Sequence, residues 1–186
     1  MQIEIISGSP NQNSVTKRLA LHLKKALEST TEHKTGIIDV REYNLPALQK
    51  VFVSVEATPD ELKPLAARMF AADAFILLTP EYNGSYTSML KNLLDHFPKQ
   101  HHKPFGIATA SPGAMGGMRA AMQLQQLVYA LFGVGSPYML VTPAVDKKFD
   151  TDGNLLDESF KKSIDVFIRE FLWLAEKLVE EKVEAE

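Results

Sequence analysis

The chain contains no cysteine. That removes disulfides, thiolate nucleophiles, iron–sulfur clusters and cysteine-ligated zinc, so any redox chemistry must use a bound cofactor. No apolar run approaches the roughly 20 residues needed to cross a bilayer. The opening MQIEIISGSP lacks the basic stretch and long apolar core of a secretory signal. A cytoplasmic protein with no membrane partner is therefore expected. An excess of positive charge is also missing. The 20 Lys and Arg are outnumbered by 23 Asp and Glu, for a formal charge of −3, and no nucleic-acid partner is expected of such a balance. The histidines are scattered except for His101-His102, which read as surface residues, so no metal site is expected.

What is present is a globular composition, 45 % hydrophobic over 186 residues. Such a length suits one compact α/β domain over residues 1–186. Strand-like and helix-like segments alternate throughout. Ile3-Glu4-Ile5-Ile6 is short and β-branched and ends in a turn signal. Apolar residues from Val15 to Leu27 recur at helical spacing between Ser14 and Ser29. Thr35 to Val40 reads as a second strand, and residues 41–58 show no period. A helix opens at Pro59-Asp60-Glu61 and runs to Ala72. The continuous apolar run Phe75–Leu78 fits a strand buried on both faces. A helix over Ser85–Phe97, a strand over Phe105–Thr109, a helix over Gly116–Leu131, a fifth strand over Ser136–Val141 and a helix from Asp157 to about Glu181 complete the series. Five strands alternating with five helices imply a parallel sheet covered on both faces.

In such a sheet ligands bind beyond the carboxyl ends of the strands, where strand order reverses. The loops after strands one, three and four are the ones of unusual composition. The first, Ser7 to Thr16, carries hydroxyls and amides into a helix N-terminus, a setting that suits a phosphate without lysine or arginine. Ser14 as a simple helix cap is the competing reading. The loop matches neither G-x-G-x-x-G nor G-x-x-x-x-G-K-[ST]. The second, Thr79 to Ser85, combines a rigid Pro80, the flat face of Tyr82 and an Asn83-Gly84 turn that tolerates positive φ. A hairpin is not expected there, since no strand follows. The third, Ser111 to Arg119, has three glycines that let backbone approach a planar ligand; Arg119 could equally be a salt-bridging helix residue.

Together these loops resemble the NADPH-dependent FMN reductase family, which includes quinone, chromate and azo-dye reductases. The resemblance rests on G-S-x-x-x-x-S at Gly8-Ser9 to Ser14, on TPEYNGSYTSMLKNLLDHF at Thr79–Phe97 and on SPGAMGGMRAAMQLQQL at Ser111–Leu127, in order and at the right spacing. It implies a three-layer flavodoxin-like fold, a five-stranded parallel sheet of order 2-1-3-4-5 with helices on both faces. It also implies an enzyme that binds FMN and uses NADPH or NADH to reduce a small acceptor such as a quinone, flavin, chromate or azo compound. Ser9, Asn11, Ser14, Val15 and Thr16 would surround the FMN phosphate. Pro80, Glu81, Tyr82, Asn83, Gly84 and Ser85 would line the ring and ribityl chain, with Ser111, Gly113 and Gly116 along the other ring edge. No side-chain nucleophile is implied. Relatives often carry an arginine where this chain has Asn11 and Gln12. Residues 41–58 resemble an acceptor-side loop, and a homodimer or homotetramer formed through the third helix is implied, although the apolar stripe of that helix, Met89, Leu90, Leu93, Leu94 and Phe97, reads first as the face packed on the sheet. The alternative within the same fold is a flavodoxin-type electron carrier; such carriers are strongly acidic, with a threonine-rich first loop. A dimerising or regulatory protein that binds no flavin is a third reading.

Overall fold

The computed structural model describes residues 1–184. In chain order the elements are β1 (Gln2–Ser7), α1 (Thr16–Thr30), β2 (Lys34–Asp39), α2 (Lys63–Ala71), β3 (Ala74–Thr79), α3 (Ser88–Asp95), β4 (Pro104–Ala110), α4 (Met118–Ala130), β5 (Val134–Gly135), β6 (Leu140–Thr142), α5 (Val145–Lys148) and α6 (Lys161–Glu184). The strands are parallel in the order β2-β1-β3-β4-β5, and β6 also pairs with β4.

Alternation along the strands sorts their side chains into two layers. Phe75 and Leu77 of β3 face the cluster built with α2, α3 and α4, through Leu65, Leu93 and Leu124. Ile76 and Leu78 face the cluster built with α1 and α6, through Leu23, Phe167 and Phe171. All six residues of β3 are buried, as the unbroken apolar run requires of a central strand. Gly106 lets α6 close on the sheet: a Cβ there would lie 3.0 Å from the Phe167 ring and 3.1 Å from that of Phe171.

Several elements differ from the expectation. The fifth strand, expected over Ser136–Val141, is divided into β5 and β6. Ser136 N–H still bonds Phe105 O at 2.7 Å, but Pro137 follows with no N–H to offer β4. The chain leaves the sheet and returns at Leu140. Another is α5, four residues long and too short to show a period. The third helix starts at Ser88 rather than Ser85, because Thr87 caps it by accepting a bond from Leu90 N–H.

Parallel register sets the strand ends in one row. Ser7 lies opposite Asp39 and Leu78, Thr79 opposite Thr109, and Ala110 opposite Thr142. At ~4.8 Å per strand, the loops after β1, β3 and β4 emerge within about 10 Å of one another. The chain turns from β2 back across β1 to β3, so this row contains the reversal of strand order at which open α/β sheets bind ligands.

Candidate functional site

The loop after β1 is anchored at both ends. Gly8 N–H bonds Leu78 O at 2.8 Å, and a Cβ at Gly8 would lie 3.0 Å from Leu90 Cβ. Only glycine lets this loop pass so close to α3. Between the anchors the loop curls on its own polar groups. Ser9 Oγ accepts from Asn11 N–H at 3.4 Å, Asn11 Oδ1 from Asn13 N–H at 2.9 Å, and Ser14 Oγ from Lys17 N–H at 3.2 Å. Ser14 is thus a cap, as the simpler reading held. It is also more, because the N–H groups of Ser14, Val15 and Thr16 have no acceptor among the described residues. These donors sit at the positive end of a four-turn helix.

The loop after β3 is a closed turn. Tyr82 and Ser85 exchange backbone bonds of 2.9 and 3.1 Å. Asn83 and Gly84 between them have φ of 52° and 80°, the paired positive values of a type I′ turn. The Asn-Gly pair therefore makes the smallest possible hairpin, one bridge with no strand beyond it. Tyr82 is left 45 % exposed, with a ring face available for stacking. Thr87 ties this loop to the first, its hydroxyl donating to Gly8 O.

The third loop crosses the end of β4 and is pinned to β6, Ser111 N–H bonding Thr142 O at 3.1 Å. Ser111 Oγ accepts from Gly113 N–H at 3.0 Å, leaving Gly113 exposed. Gly116 is buried, with φ of 61°, and a Cβ there would lie 2.6 Å from Pro143 N. Its glycine is required by packing against β6. Glu81 joins the second and third loops: its carboxylate accepts from Arg119 N–H at 3.1 Å and from Arg119 Nη1 at 3.3 Å. Pro80 is buried at the exit of β3. Thirteen of the fourteen residues singled out in the sequence thus lie on three neighbouring loops, and the other, Thr16, opens α1 at the end of the first.

The structure adds residues that the sequence did not mark. Arg41, just past β2, reaches over the first loop. It donates through Nη1 to Asn11 O at 3.1 Å and Gln12 O at 2.9 Å, and it pairs with Asp39 through Nε and Nη2. Lys17 Nζ lies 3.3 Å from Asp39. Arg41, Lys17 and Arg18 rim a concavity of about 220 Å³ with Gln12, Asn13 and Ser14. The cue in the sequence was Asp39-x-Arg41 at the end of the strand next to β1. A roomier groove of about 810 Å³ lies between α1 and α6, lined by Ala26, Ile164, Ile168 and Leu172. It runs along the helices, away from the strand ends. Residues 41–58 descend the outer side of α3. Asn92 Nδ2 bonds Pro46 O at 2.8 Å, Phe52 N–H bonds His96 O at 2.7 Å, and the Phe52 ring packs on His96 and Phe97.

A family model described as NADPH-dependent FMN reductase matches residues 1–147. The chain belongs to that family. This reductase is 32 % identical over 170 residues to an FMN-dependent NADPH-azoreductase of Staphylococcus aureus, covering 88 % of this chain and 89 % of the relative. Its fold matches FerB, a flavoenzyme NAD(P)H:(acceptor) oxidoreductase of Paracoccus denitrificans, with a TM-score of 0.78 at 24 % identity over 95 % of this chain and 97 % of that one. A flavodoxin of Pseudomonas aeruginosa shares the fold at a TM-score of 0.59 and 20 % identity, over 92 % and 99 % of the two chains. These two likenesses show the architecture; family membership makes the reductase an oxidoreductase that works with FMN and a reduced nicotinamide. The donor set fits that cofactor. Free N–H groups, two hydroxyls and neighbouring cations suit a phosphomonoester. A rigid turn with an exposed ring face beside a glycine-bearing loop suits a flat heterocycle. No helix among the described residues is long and apolar enough to cross a membrane.

Proposed function

We propose that the three loops hold one FMN and that the reductase uses it to carry electrons from NAD(P)H to a planar aromatic acceptor, an azo compound or a quinone. The observation that carries this reading is the row of strand ends, which brings unpaired N–H groups at the start of α1 alongside the exposed Tyr82 and the backbone of Gly113. When bound, the flavin supplies the redox chemistry: it takes two electrons from the nicotinamide and gives them to the acceptor. The chain's own residues bind and orient. In this reading Ser14, Val15 and Thr16 donate their N–H groups to the phosphate, with the Ser9 and Thr16 hydroxyls and the Asn11 amide beside them. Pro80 and the Tyr82–Ser85 turn fix one side of the ring site, and the Glu81–Arg119 pair holds that turn against the α4 terminus. Ser111, Gly113 and Gly116 shape the facing loop.

The choice of acceptor follows from the rim. Tyr82, Met115 and Met118 are exposed around the two ring-facing loops, and their apolar surface favours an aromatic over an oxyanion such as chromate. The azoreductase relative supports the same choice. We also propose a homodimer or homotetramer. Leu90, Leu93, Leu94 and Phe97 are buried beneath α3, so the third helix has little apolar surface left to offer. The exposed Met122 and Tyr129 of α4 are the better candidates for the contact.

The test is the absorbance spectrum of the purified protein, followed by NADPH and NADH oxidation against a panel of an azo dye, a benzoquinone, free flavin and chromate. A flavin spectrum with turnover of the azo dye or quinone is expected. Flavin-loaded protein that oxidises neither nicotinamide with any acceptor would refute the reading.

A further inference from the structure

Between Ser7 and Thr16 the first loop contains no lysine or arginine, yet it is the segment that must face a phosphate if the flavin reading holds. A guanidinium held in place reaches this loop from just past β2. Arg41 places Nη1 between two successive carbonyl oxygens of that loop, those of Asn11 and Gln12, at 3.1 and 2.9 Å. Its other two nitrogens are held by Asp39, whose side chain is 2 % exposed. We propose that the Asp39–Arg41 pair is a positioning device for the cofactor phosphate. It fixes the curl of the first loop and turns two of its carbonyl oxygens away from the anion. The proposal rests on the flavin reading and deepens it.

In a trans peptide the C=O and the following N–H point in opposite directions. Holding the carbonyls of Asn11 and Gln12 against the guanidinium therefore sets the direction of the next two N–H groups. Asn13 N–H is duly taken by Asn11 Oδ1 at 2.9 Å, which locks the curl leading into Ser14. Electrostatics favour the same role. Asp39 alone beside a phosphate would repel it, but Arg41 and Lys17 both lie against that carboxylate and leave the group with one net positive charge. Arg41 is also spent geometrically. Its planar fork bridges a carboxylate and two carbonyls at once, which lysine cannot imitate. It is a positioning residue, acting through the loop.

The experiment compares FMN with riboflavin, which lacks the phosphate, by fluorescence titration into flavin-stripped protein whose circular dichroism matches that of the untreated form. Loss of about two charge-assisted bonds is worth on the order of tenfold. Arg41→Met is expected to raise the FMN dissociation constant about tenfold and to leave riboflavin within about twofold. Arg41→Lys, which keeps the charge but not the fork, should fall between, and it serves as the probe should Arg41→Met not fold. Asp39→Asn separates geometry from charge. It removes a negative charge near the phosphate, yet it is expected to weaken FMN about threefold because Arg41 loses its anchor. The proposal is overturned if Arg41→Met changes neither ligand or both alike, or if Asp39→Asn tightens FMN. Wild-type protein that binds neither flavin would instead refute the flavin reading on which the proposal stands.

Discussion

At the carboxyl end of β2, burial opposes ionisation of Asp39, but hydrogen bonds and charge from Arg41, with help from Lys17, outweigh it and hold the carboxyl below its ordinary range. A carboxyl depressed in the folded state adds stability that is present above its unfolded value and lost as pH falls through the folded one. The stability difference between wild type and Asp39→Asn should therefore be flat from pH 5 to 8 and shrink only below about pH 4, as read by urea unfolding across pH. His22 acts in the same direction, at higher pH. Burial lowers its pKa, the bond with Gly153 O at 2.9 Å works against that, and Lys25 adds to the lowering. A base depressed by folding takes up its proton more readily when unfolded, so stability is full above about pH 6.5 and falls as pH drops below it. His22→Gln should flatten the decline between pH 7 and 5. An unchanged slope would show that this histidine is not its source.

At the scale of elements, the contact between α3 and the first loop is the joint of the site. Gly8 makes the close approach possible, and Thr87 closes it by bonding Gly8 O while capping α3. Thr87→Val should lose about 1–2 kcal/mol from the missing cap and bond. Gly8→Ala should lose about 1–3 kcal/mol by overpacking against Leu90. At about 2–4 °C per kcal/mol, thermal unfolding resolves both, and both should weaken FMN, because the first two loops are moved apart. Much of this level was legible in the sequence, because it is local. Buried β-branched runs, helical periods and turn residues such as Asn83-Gly84 act within a few positions of themselves. The boundaries that shifted have equally local physical causes, Thr87 capping α3 beyond Ser85 and Pro137 breaking the fifth strand. What stayed hidden is long-range. The bond from Arg41 to Gln12 spans 29 positions, and the seat of Phe52 on His96 spans 44, so no window along the chain reveals either. The division of labour among the glycines was hidden too: Gly113 is exposed while Gly116 is spent on Pro143.

For the whole molecule, the parallel sheet supplies the row of strand ends, and the chain belongs to a family of NADPH-dependent FMN reductases. Assembly is where the molecule leaves a surface unexplained. With the apolar stripe of α3 turned inward, Met118, Met122 and Tyr129 stay exposed on α4, and Phe132 just beyond it. Light scattering behind size exclusion should give a dimer or tetramer, and Met122→Glu with Tyr129→Glu should reduce it to the monomer with its fold retained. A wild-type monomer at micromolar concentration would remove that proposal and leave the site untouched. The central claim, that three loops enclose one phosphorylated flavin, is tested most directly by titrating FMN into the flavin-stripped chain. Quenching of flavin fluorescence that saturates at one FMN per chain is expected, with a rise in melting temperature from ligand binding to the folded state. Unchanged fluorescence together with an unchanged melting temperature would contradict it.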